Sequence, residues 1–168
     1  MRIVSFNING LRARPHQLEA IRDTIDPDII GLQETKVQDA DFPREMIEEL
    51  GYHVAFYGQK SHYGVALLSK EAPLAVEYGL PSDDDEAQRR LIAATVDGLR
   101  IYNVYVPNGK EVDSESYAYK LDWLEKLQTD EQRSLAQLVN HLTLMDILER
   151  QDEEASGDRV VLMTLHAA

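Results

Sequence analysis

The chain has 168 residues, 43% of them hydrophobic, with 30 acidic side chains, 17 basic ones and no cysteine. This length suits one domain with a sizeable core and is short for two. The absence of cysteine excludes a disulfide framework, a thiolate zinc site and a cysteine nucleophile. No apolar run approaches the length of a signal peptide or a membrane span. We therefore expect a cytoplasmic protein with no membrane partner.

The formal net charge of −13 argues against a general nucleic-acid coat, because phosphate binding needs a basic surface. It leaves room for a DNA enzyme that keeps its basic residues on one face and binds divalent cations with its acidic ones. The acidic run at residues 83–86 lacks the alternating ligand spacing of a calcium loop, so we interpret it as a solvated loop.

Hydrophobic periodicity predicts interleaved strands and helices, followed by strands in series. Strands are predicted at residues 2–6, 28–33, 53–57, 64–69, 74–78, 91–96 and 99–106. Helices are predicted at residues 15–25 and 42–50, and from 114 to about 150 with a break near 129–130. A charged linker at residues 151–159 leads to a last apolar strand at 159–165. This order predicts an α/β fold with a mixed sheet and helices packed outside it.

Polar side chains follow the first two predicted strands. Asn7 and Asn9 come after the first strand, and Gln33, Glu34 and Lys36 come at or after the end of the second. Ligands gather at the carboxyl ends of strands in α/β sheets, so these side chains are expected at one rim. Carboxylate and amide oxygens suit Mg²⁺, which needs only one or two carboxylates besides water and substrate phosphate. The alternative is that Asn7 and Glu34 only cap strands and turns.

Four segments stand out along the chain: SFNINGLRA at residues 5–13, GLQETK at 31–36, HYGVALLSK at 62–70 and YVPNG at 105–109. In this order they resemble the exonuclease III branch of the endonuclease/exonuclease/phosphatase superfamily. The resemblance runs from residue 1 to about 127. It implies part of a four-layer α/β sandwich, two β-sheets flanked by helices, incomplete in this chain.

The resemblance also implies a phosphodiesterase that uses Mg²⁺ or Mn²⁺ and cleaves duplex DNA at abasic sites and at 3′ ends. By position, Glu34 is the metal ligand and a catalytic residue, and Asn7 is its neighbour in the metal site. Tyr105 is expected to offer its hydroxyl to the scissile phosphate. The implied DNA contacts are Arg12, Asn9, Lys36, Arg90 and Asn108. The alternative for Arg90 is an exposed charge at a strand edge, and for Tyr63 we expect core packing beside Gly64.

Other motifs of the resembled family do not occur after Leu127. These are a Gly-Asp-X-Asn strand end that orients the attacking water, a later metal-site Asp and a Ser-Asp-His. Loss of a general base alone costs a factor on the order of a hundred to ten thousand. We therefore expect very weak or absent nuclease activity. The alternative function is a truncated or chimeric α/β protein that at most binds DNA or a partner weakly, or associates with itself through an exposed sheet face.

The tail at residues 133–168 resembles an internal piece of Rep/UvrD-type DNA helicases, through SLAQ at 134–137, LTLMDILER at 142–150 and VLMTLHAA at 161–168. No Gly-x-x-x-x-Gly-Lys-Ser/Thr occurs, so ATP is not an expected partner. The expected division is 1–127 for the nuclease-like half and 128–168 for a tail that is no independent domain. We expect residues 159–165 to dock beside the strands that carry Ile3 and Ile30, which places Leu165 where the family has its water-orienting Asp.

Overall fold

The computed structural model describes residues 1–130 and 164–166, and its contacts divide these into two compact units. The first unit holds Met1–Gly79, Asp84–Tyr105 and the strand Thr164–His166. The second holds Leu80–Asp83 and residues 106–130. This division does not fall at residue 127, where the domain boundary is expected, and that boundary stays a prediction. Among the described residues, no helix is long and apolar enough to cross a membrane.

Eleven regular elements are described, and their types match the predicted ones. The strands are β1 (Ile3–Asn7), β2 (Ile29–Gln33), β3 (His53–Tyr57), β4 (Val65–Ser69), β5 (Leu74–Tyr78), β6 (Leu91–Val96), β7 (Leu99–Val104) and β8 (Thr164–His166). The helices are α1 (Pro15–Ile25), α2 (Arg44–Glu49) and α3 (Glu115–Asp130). Short 3-10 turns lie at Leu11–Ala13 and Asp39–Asp41. Two sheets with helices confirm the expected α/β class.

The first sheet has the strand order β3-β4-β2-β1-β8. β1 pairs in parallel with β2 and with β8, whereas β4 pairs antiparallel with β2 and β3. Every residue of β2 and β4 is buried, as their continuous aliphatic runs require for strands that are covered on both faces.

The two faces of the first sheet are buried against different partners. Ile30 and Leu32 pack on the face covered by α1 and α2, where Leu18 and Ile47 join one core cluster. Ile29 faces the other way, into a cluster shared with the second sheet. Because successive strand side chains alternate between faces, one strand feeds both cores and its register is firmly set.

The second sheet is antiparallel, with the order β5-β6-β7. It contributes Ile92, Ala94 and Val96 to the cluster between the sheets. Full burial of a side chain as large as those of Ile92 and Val96 stabilises the fold by about 1.5–3 kcal/mol. β6 and β7 join through the Asp97–Gly98 turn, where both residues have positive φ, as a two-residue hairpin turn of this kind requires.

Helix α1 begins at Pro15 and ends where Asp26 adopts a left-handed φ of 48°. Its buried residues are Leu18 and Ile21. α2 is shorter than the predicted helix 42–50, because it starts only after Pro43. A proline has no N–H to donate and restricts the residue before it, so the helix begins at Arg44.

β8 lies beside β1, in the place where we expect the last strand to dock. Its register pairs Ser5 with Thr164 and Asn7 with His166. The strand is described only over Thr164–His166, so residues 159–163 of the predicted strand lie outside the described residues. The predicted helix from 131 to about 150 and the linker also lie outside them.

Candidate metal and nucleic-acid site

The loops that follow β1 and β2 remain paired beyond the strands. The Ile8 amide donates to the Gln33 carbonyl at 3.1 Å, the Gly10 amide to the Glu34 carbonyl at 2.8 Å and the Leu11 amide to the Thr35 carbonyl at 3.0 Å. These hydrogen bonds continue the parallel register of β1 and β2 into the polar residues at their carboxyl ends. The rim is therefore a backbone-paired structure, although its residues belong to loops.

The loop after β2 is paired on its other side too. The Thr35 amide donates to the Gly64 carbonyl at 3.1 Å, and the Lys36 amide donates to the Tyr63 carbonyl at 2.9 Å. Gly64 has no space for a side chain, since a Cβ there would lie 2.3 Å from the Thr35 Oγ1 atom. The loop that carries Glu34 is thus held between the residues after β1 and the residues before β4.

Four rim residues other than glycine adopt left-handed backbone angles. Their φ values are 47° at Asn9, 59° at Glu34, 54° at Lys36 and 54° at Tyr63. A left-handed conformation costs roughly 1–2 kcal/mol for a residue with a Cβ, so the surrounding hydrogen bonds must impose it. Strained backbone of this kind clusters at functional sites.

Glu34 is the centre of a polar cluster with Asn7 and Lys36. The Asn7 Nδ2 atom donates to the Glu34 Oε2 atom at 3.0 Å, and the Lys36 Nζ atom lies 2.8 Å from the Glu34 Oε1 atom. Lys36 also donates to the Asn9 Oδ1 atom at 2.5 Å, and the Asn9 amide donates to the Asn7 Oδ1 atom at 3.1 Å. The structure therefore brings together the Asn7, Asn9, Glu34 and Lys36 side chains named from the sequence.

The charges of this cluster keep Glu34 ionised. Burial by itself raises the pKa of Glu34, but hydrogen bonds from Lys36 and Asn7 and the Lys36 charge outweigh it, so the pKa is lowered below its usual 4.5. A hydrogen bond from Tyr105 acts in the same direction. An ionised carboxylate at neutral pH is what a hard divalent cation requires.

Tyr105 follows β7 and donates its hydroxyl to Glu34. Burial raises the pKa of the Tyr105 phenol, and the Glu34 charge raises it further, which outweighs the opposite effect of Arg90. The phenol therefore remains protonated and keeps its ability to donate at neutral pH. This is the state that its expected role requires.

Arg90 is buried, with 6% of its surface exposed, so the alternative of an exposed strand-edge charge is wrong. Its Nη1 atom donates to the Tyr105 carbonyl at 2.9 Å, and its Nε atom donates to the Gln88 Oε1 atom at 2.7 Å. The guanidinium carbon lies 4.5 Å from the ring centroid of Tyr63 and 4.6 Å from that of Tyr105.

The prediction that Tyr63 packs in the core is also wrong. Tyr63 is only half-buried, and its ring lies against Arg90. The reason is its left-handed backbone, which turns the residue toward the rim just before the buried strand β4 begins.

The remaining two predicted DNA contacts are Arg12 and Asn108. Arg12 is exposed in the 3-10 turn after β1 and, within the part of the chain that the structure describes, forms no hydrogen bond or ion pair. Asn108 belongs to the second unit, where its Oδ1 atom accepts from the Lys110 amide at 2.9 Å. Contact of either residue with DNA stays a prediction.

Gln33, which we expect at the rim, is instead buried in an amide bridge between the sheets that sequence reasoning missed. The Gln33 Nε2 atom donates to the Asn103 Oδ1 atom at 2.6 Å, and the Asn103 Nδ2 atom donates to the Leu32 and Ala66 carbonyls, at 2.8 Å each. Gln33 directly precedes Glu34, and Asn103 lies two residues before Tyr105. The available signal was an amide side chain in each of two predicted strands, because buried amides need partners.

The residues present fit a divalent cation held through one carboxylate. Among residues 1–130 and 164–166 no group of three acidic or histidine side chains converges. The candidate donor set is the ionised Glu34 with Asn7 beside it, which matches the preference of Mg²⁺ for few protein oxygens. The Lys36 ammonium on Glu34 shows that this carboxylate already accommodates a positive charge.

Comparison with known proteins agrees with this architecture. The profile described as Endonuclease/Exonuclease/phosphatase family matches residues 4–152. Exodeoxyribonuclease III of Haemophilus influenzae is 50% identical over 139 residues, which cover 80% of this chain and 51% of that protein. Exodeoxyribonuclease of Bacillus subtilis is 34% identical over 131 residues, which cover 76% of this chain and 50% of that protein.

Two solved structures share the fold. An AP endonuclease from Archaeoglobus fulgidus matches with a TM-score of 0.74 and 41% identity, over 80% of this chain and 52% of that one. The 3′ phosphatase NExo from Neisseria, bound to a product DNA hairpin, matches with a TM-score of 0.74 and 37% identity, over 85% of this chain and 53% of that one. The chain therefore belongs to the Endonuclease/Exonuclease/phosphatase family, and the relatives to which it is similar are exodeoxyribonucleases and an AP endonuclease. It spans about half the length of the relatives it matches.

Proposed function

We propose that the site is that of a Mg²⁺- or Mn²⁺-dependent phosphodiesterase acting on duplex DNA, at abasic sites and 3′ ends, and that this chain by itself cleaves very weakly or not at all. The observation that carries the proposal is the convergence of Asn7, Glu34 and Tyr105 at one rim. A carboxylate, an amide and a protonated phenol are the groups that phosphodiester cleavage with a divalent cation uses.

The chain's own residues define the chemistry available at this rim. Glu34 and Asn7 would hold the cation, which when bound supplies charge stabilisation to a phosphate that gains negative charge. Tyr105 holds a proton at its phenolic oxygen and can donate it as a hydrogen bond to a phosphate oxygen. The exposed Arg12 and the Lys36 ammonium supply positive charge that attracts the DNA backbone.

Weak activity is proposed because no residue of this chain matches the water-orienting Asp or the Ser-Asp-His of the family. The strand β8 pairs with β1, with Leu165 opposite Phe6. The sequence alignment assigns Leu165 to the position of that Asp. A leucine has no lone pair with which to orient a nucleophile. Residues 131–163, which include most of the helicase-like tail, are outside the described part. The helicase resemblance and a cytoplasmic location both remain proposals.

The test is cleavage of an end-labelled duplex with one abasic site, with Mg²⁺ or with EDTA, beside a full-length exodeoxyribonuclease III. We expect turnover at least a hundredfold below that of the full-length enzyme, with any residual cleavage lost in Glu34→Gln. Asp26→Asn is the matched control, since Asp26 binds Lys70 at the other end of the first sheet. Turnover comparable to the full-length enzyme would contradict the proposed weakness.

The second candidate function is a non-catalytic chain that binds DNA weakly or packs against a partner or a second copy. The lack of family motifs after Leu127 favours it. Binding of an abasic duplex in EDTA, with no Mg²⁺-dependent cleavage at high protein concentration, is its expected result. Cleavage that depends on both Mg²⁺ and Glu34 would rule it out.

A further inference from the structure

Arg90 is a buried cation whose surroundings differ from those of an ordinary ion pair. Within the described residues, no carboxylate lies close enough to form a salt bridge with it. Its neighbours are the Tyr63 and Tyr105 rings, at 4.5 and 4.6 Å, the Gln88 side chain and the Tyr105 carbonyl. Aromatic faces and neutral acceptors stabilise a guanidinium without competing for its charge.

Arg90 and Tyr105 hold each other through two reciprocal contacts. The Tyr105 amide donates to the Arg90 carbonyl at 2.7 Å, and the Arg90 Nη1 atom donates to the Tyr105 carbonyl at 2.9 Å. The first of these contacts extends the β6–β7 ladder, in which Leu91 pairs with Val104, by one residue pair. The backbone of Tyr105 is therefore fixed by the same side chain that lies against its ring.

Tyr63 is held in place independently of Arg90. Its carbonyl accepts from the Lys36 amide at 2.9 Å, and the next amide, that of Gly64, donates to the Arg89 carbonyl at 3.0 Å. Tyr63 thus connects the loop that carries Glu34 to the segment that carries Arg90. Loss of its ring would leave one side of the Arg90 guanidinium without an aromatic neighbour.

We propose that Arg90 is a positioning residue for Tyr105, and that Tyr63 acts through Arg90 to aim the Tyr105 hydroxyl at Glu34. We call Tyr63, Arg90 and Tyr105 the rim stack. The consequence for catalysis rests on the proposed function, whereas the geometry of the rim stack does not. Arg90 then contributes to the site by orienting a donor, and a phosphate contact is not its main role.

The contrast with Arg12 supports this assignment. Arg12 is exposed and makes no hydrogen bond or ion pair with any described residue, as befits a side chain that meets a phosphate from solvent. Arg90 has 6% of its surface exposed and already donates to two acceptors. Two arginines of the same rim thus have opposite environments, and they provide a matched pair.

The first experiment reads the Tyr105 ring directly by NMR, with ¹³C-labelled tyrosine and with Tyr105→Phe to assign its signals. Tyr63→Leu is expected to shift or broaden the Tyr105 ring signals, and Tyr63→Phe to keep them near their wild-type positions because the aromatic face remains. Tyr57→Leu is the control, since it removes a similar ring, 4.7 Å from the neighbouring Arg89, outside the rim stack. Unchanged Tyr105 signals in Tyr63→Leu, or equal changes in Tyr57→Leu, would overturn the proposal.

The second experiment measures how affinity for an abasic duplex in EDTA depends on salt. Each phosphate contact contributes about 0.9 to the slope of log K against log salt. Arg12→Gln is expected to lower the slope by about that amount, and Arg90→Gln to leave it unchanged while it disturbs the Tyr105 ring. A slope lowered equally by Arg90→Gln would overturn the positioning role.

These readouts separate the two proposals. If the wild-type chain binds neither DNA nor Mg²⁺, the proposed function fails, but the Tyr105 signals in the free chain still test the rim stack. If Arg90→Gln does not fold, the comparison of Tyr63→Phe with Tyr63→Leu decides the matter. Circular dichroism of each variant identifies those that fold.

Discussion

Two lysine–carboxylate pairs lie at opposite ends of the first sheet and share the same local chemistry. The Lys36 Nζ atom is 2.8 Å from Glu34, and the Lys70 Nζ atom is 2.7 Å from Asp26. Their environments differ, since the Glu34 side chain is 21% exposed and that of Asp26 is 61% exposed. Glu34 also accepts hydrogen bonds from Asn7 and Tyr105, and it lies on a loop with left-handed backbone angles. An ion pair thus marks a site only when backbone and neutral donors converge on it as well.

The largest loss of unfolding free energy is expected at the Glu34 end of the first sheet, where Gly64 lies against Thr35. In Gly64→Ala, the new Cβ would lie 2.3 Å from the Thr35 Oγ1 atom, on a residue with a φ of 84°. We expect a loss of about 3 kcal/mol or more in unfolding free energy, because overpacking adds to backbone strain. Urea denaturation measures it.

Gly98→Ala is the matched control for that prediction. Gly98 has a φ of 75°, but a Cβ there would meet nothing within 4 Å. It should cost only the strain of a left-handed alanine, about 1–2 kcal/mol. Equal losses in both variants would show that the close approach to Thr35 is unimportant.

A smaller loss of unfolding free energy is expected when the amide bridge between Gln33 and Asn103 is broken. Asn103→Leu removes the donors to the Leu32 and Ala66 carbonyls, which lie in the interior. Buried groups left without partners cost about 1–3 kcal/mol each, in part offset by the added apolar surface. We expect about 2–3 kcal/mol by thermal or urea unfolding.

Ser69→Ala is the comparison at the far end of the sheet, since it removes a single hydrogen bond, at 2.7 Å, to the Glu71 carbonyl. About 1 kcal/mol is expected there. A loss in Asn103→Leu no larger than in Ser69→Ala would contradict a bracing role for the bridge.

Loss of Lys36 should change the Mn²⁺ affinity of the chain a few-fold, whereas loss of Lys70 should not change it. Lys36→Met removes a positive charge beside Glu34, and a charge at this distance is worth about 1 kcal/mol or more to a cation near water. Mn²⁺ affinity measured by EPR should therefore rise about fivefold, as about 1 kcal/mol implies. Lys70→Met should leave it unchanged. Weaker Mn²⁺ binding in Lys36→Met would argue that Lys36 organises the metal site.

The smallest effect concerns acid stability at the far end. The hydrogen bond and charge of Lys70 hold the pKa of Asp26 below its usual 3.8. This contribution is present above pH 3.8 and is lost as the pH falls through the folded-state value. Asp26→Asn should thus weaken the chain slightly at neutral pH and match the wild type at the lowest pH. The same difference in stability between Asp26→Asn and the wild type at neutral pH and at the lowest pH would contradict this.

Helix α1 and strand β4 could be predicted from the sequence because their apolar periodicity is local. The polar rim could be predicted because Asn7 and Glu34 lie at the ends of adjacent strands. It could not predict that Arg90 is buried, because the Tyr63 and Tyr105 rings that accept it come from other segments. The left-handed turn at Tyr63 was missed for the same reason, since tertiary hydrogen bonds impose it.

The amide pairing that continues from β1 and β2 into the rim has a kinetic consequence. The amides of Ile8, Gly10 and Leu11 all donate to backbone carbonyls across the rim. In hydrogen exchange, these loop amides should show protection comparable to that of the strands, because opening them requires separation of the sheet. Side chains at this rim can then be substituted, with a change in its chemistry, while the main chain that carries them stays hydrogen-bonded.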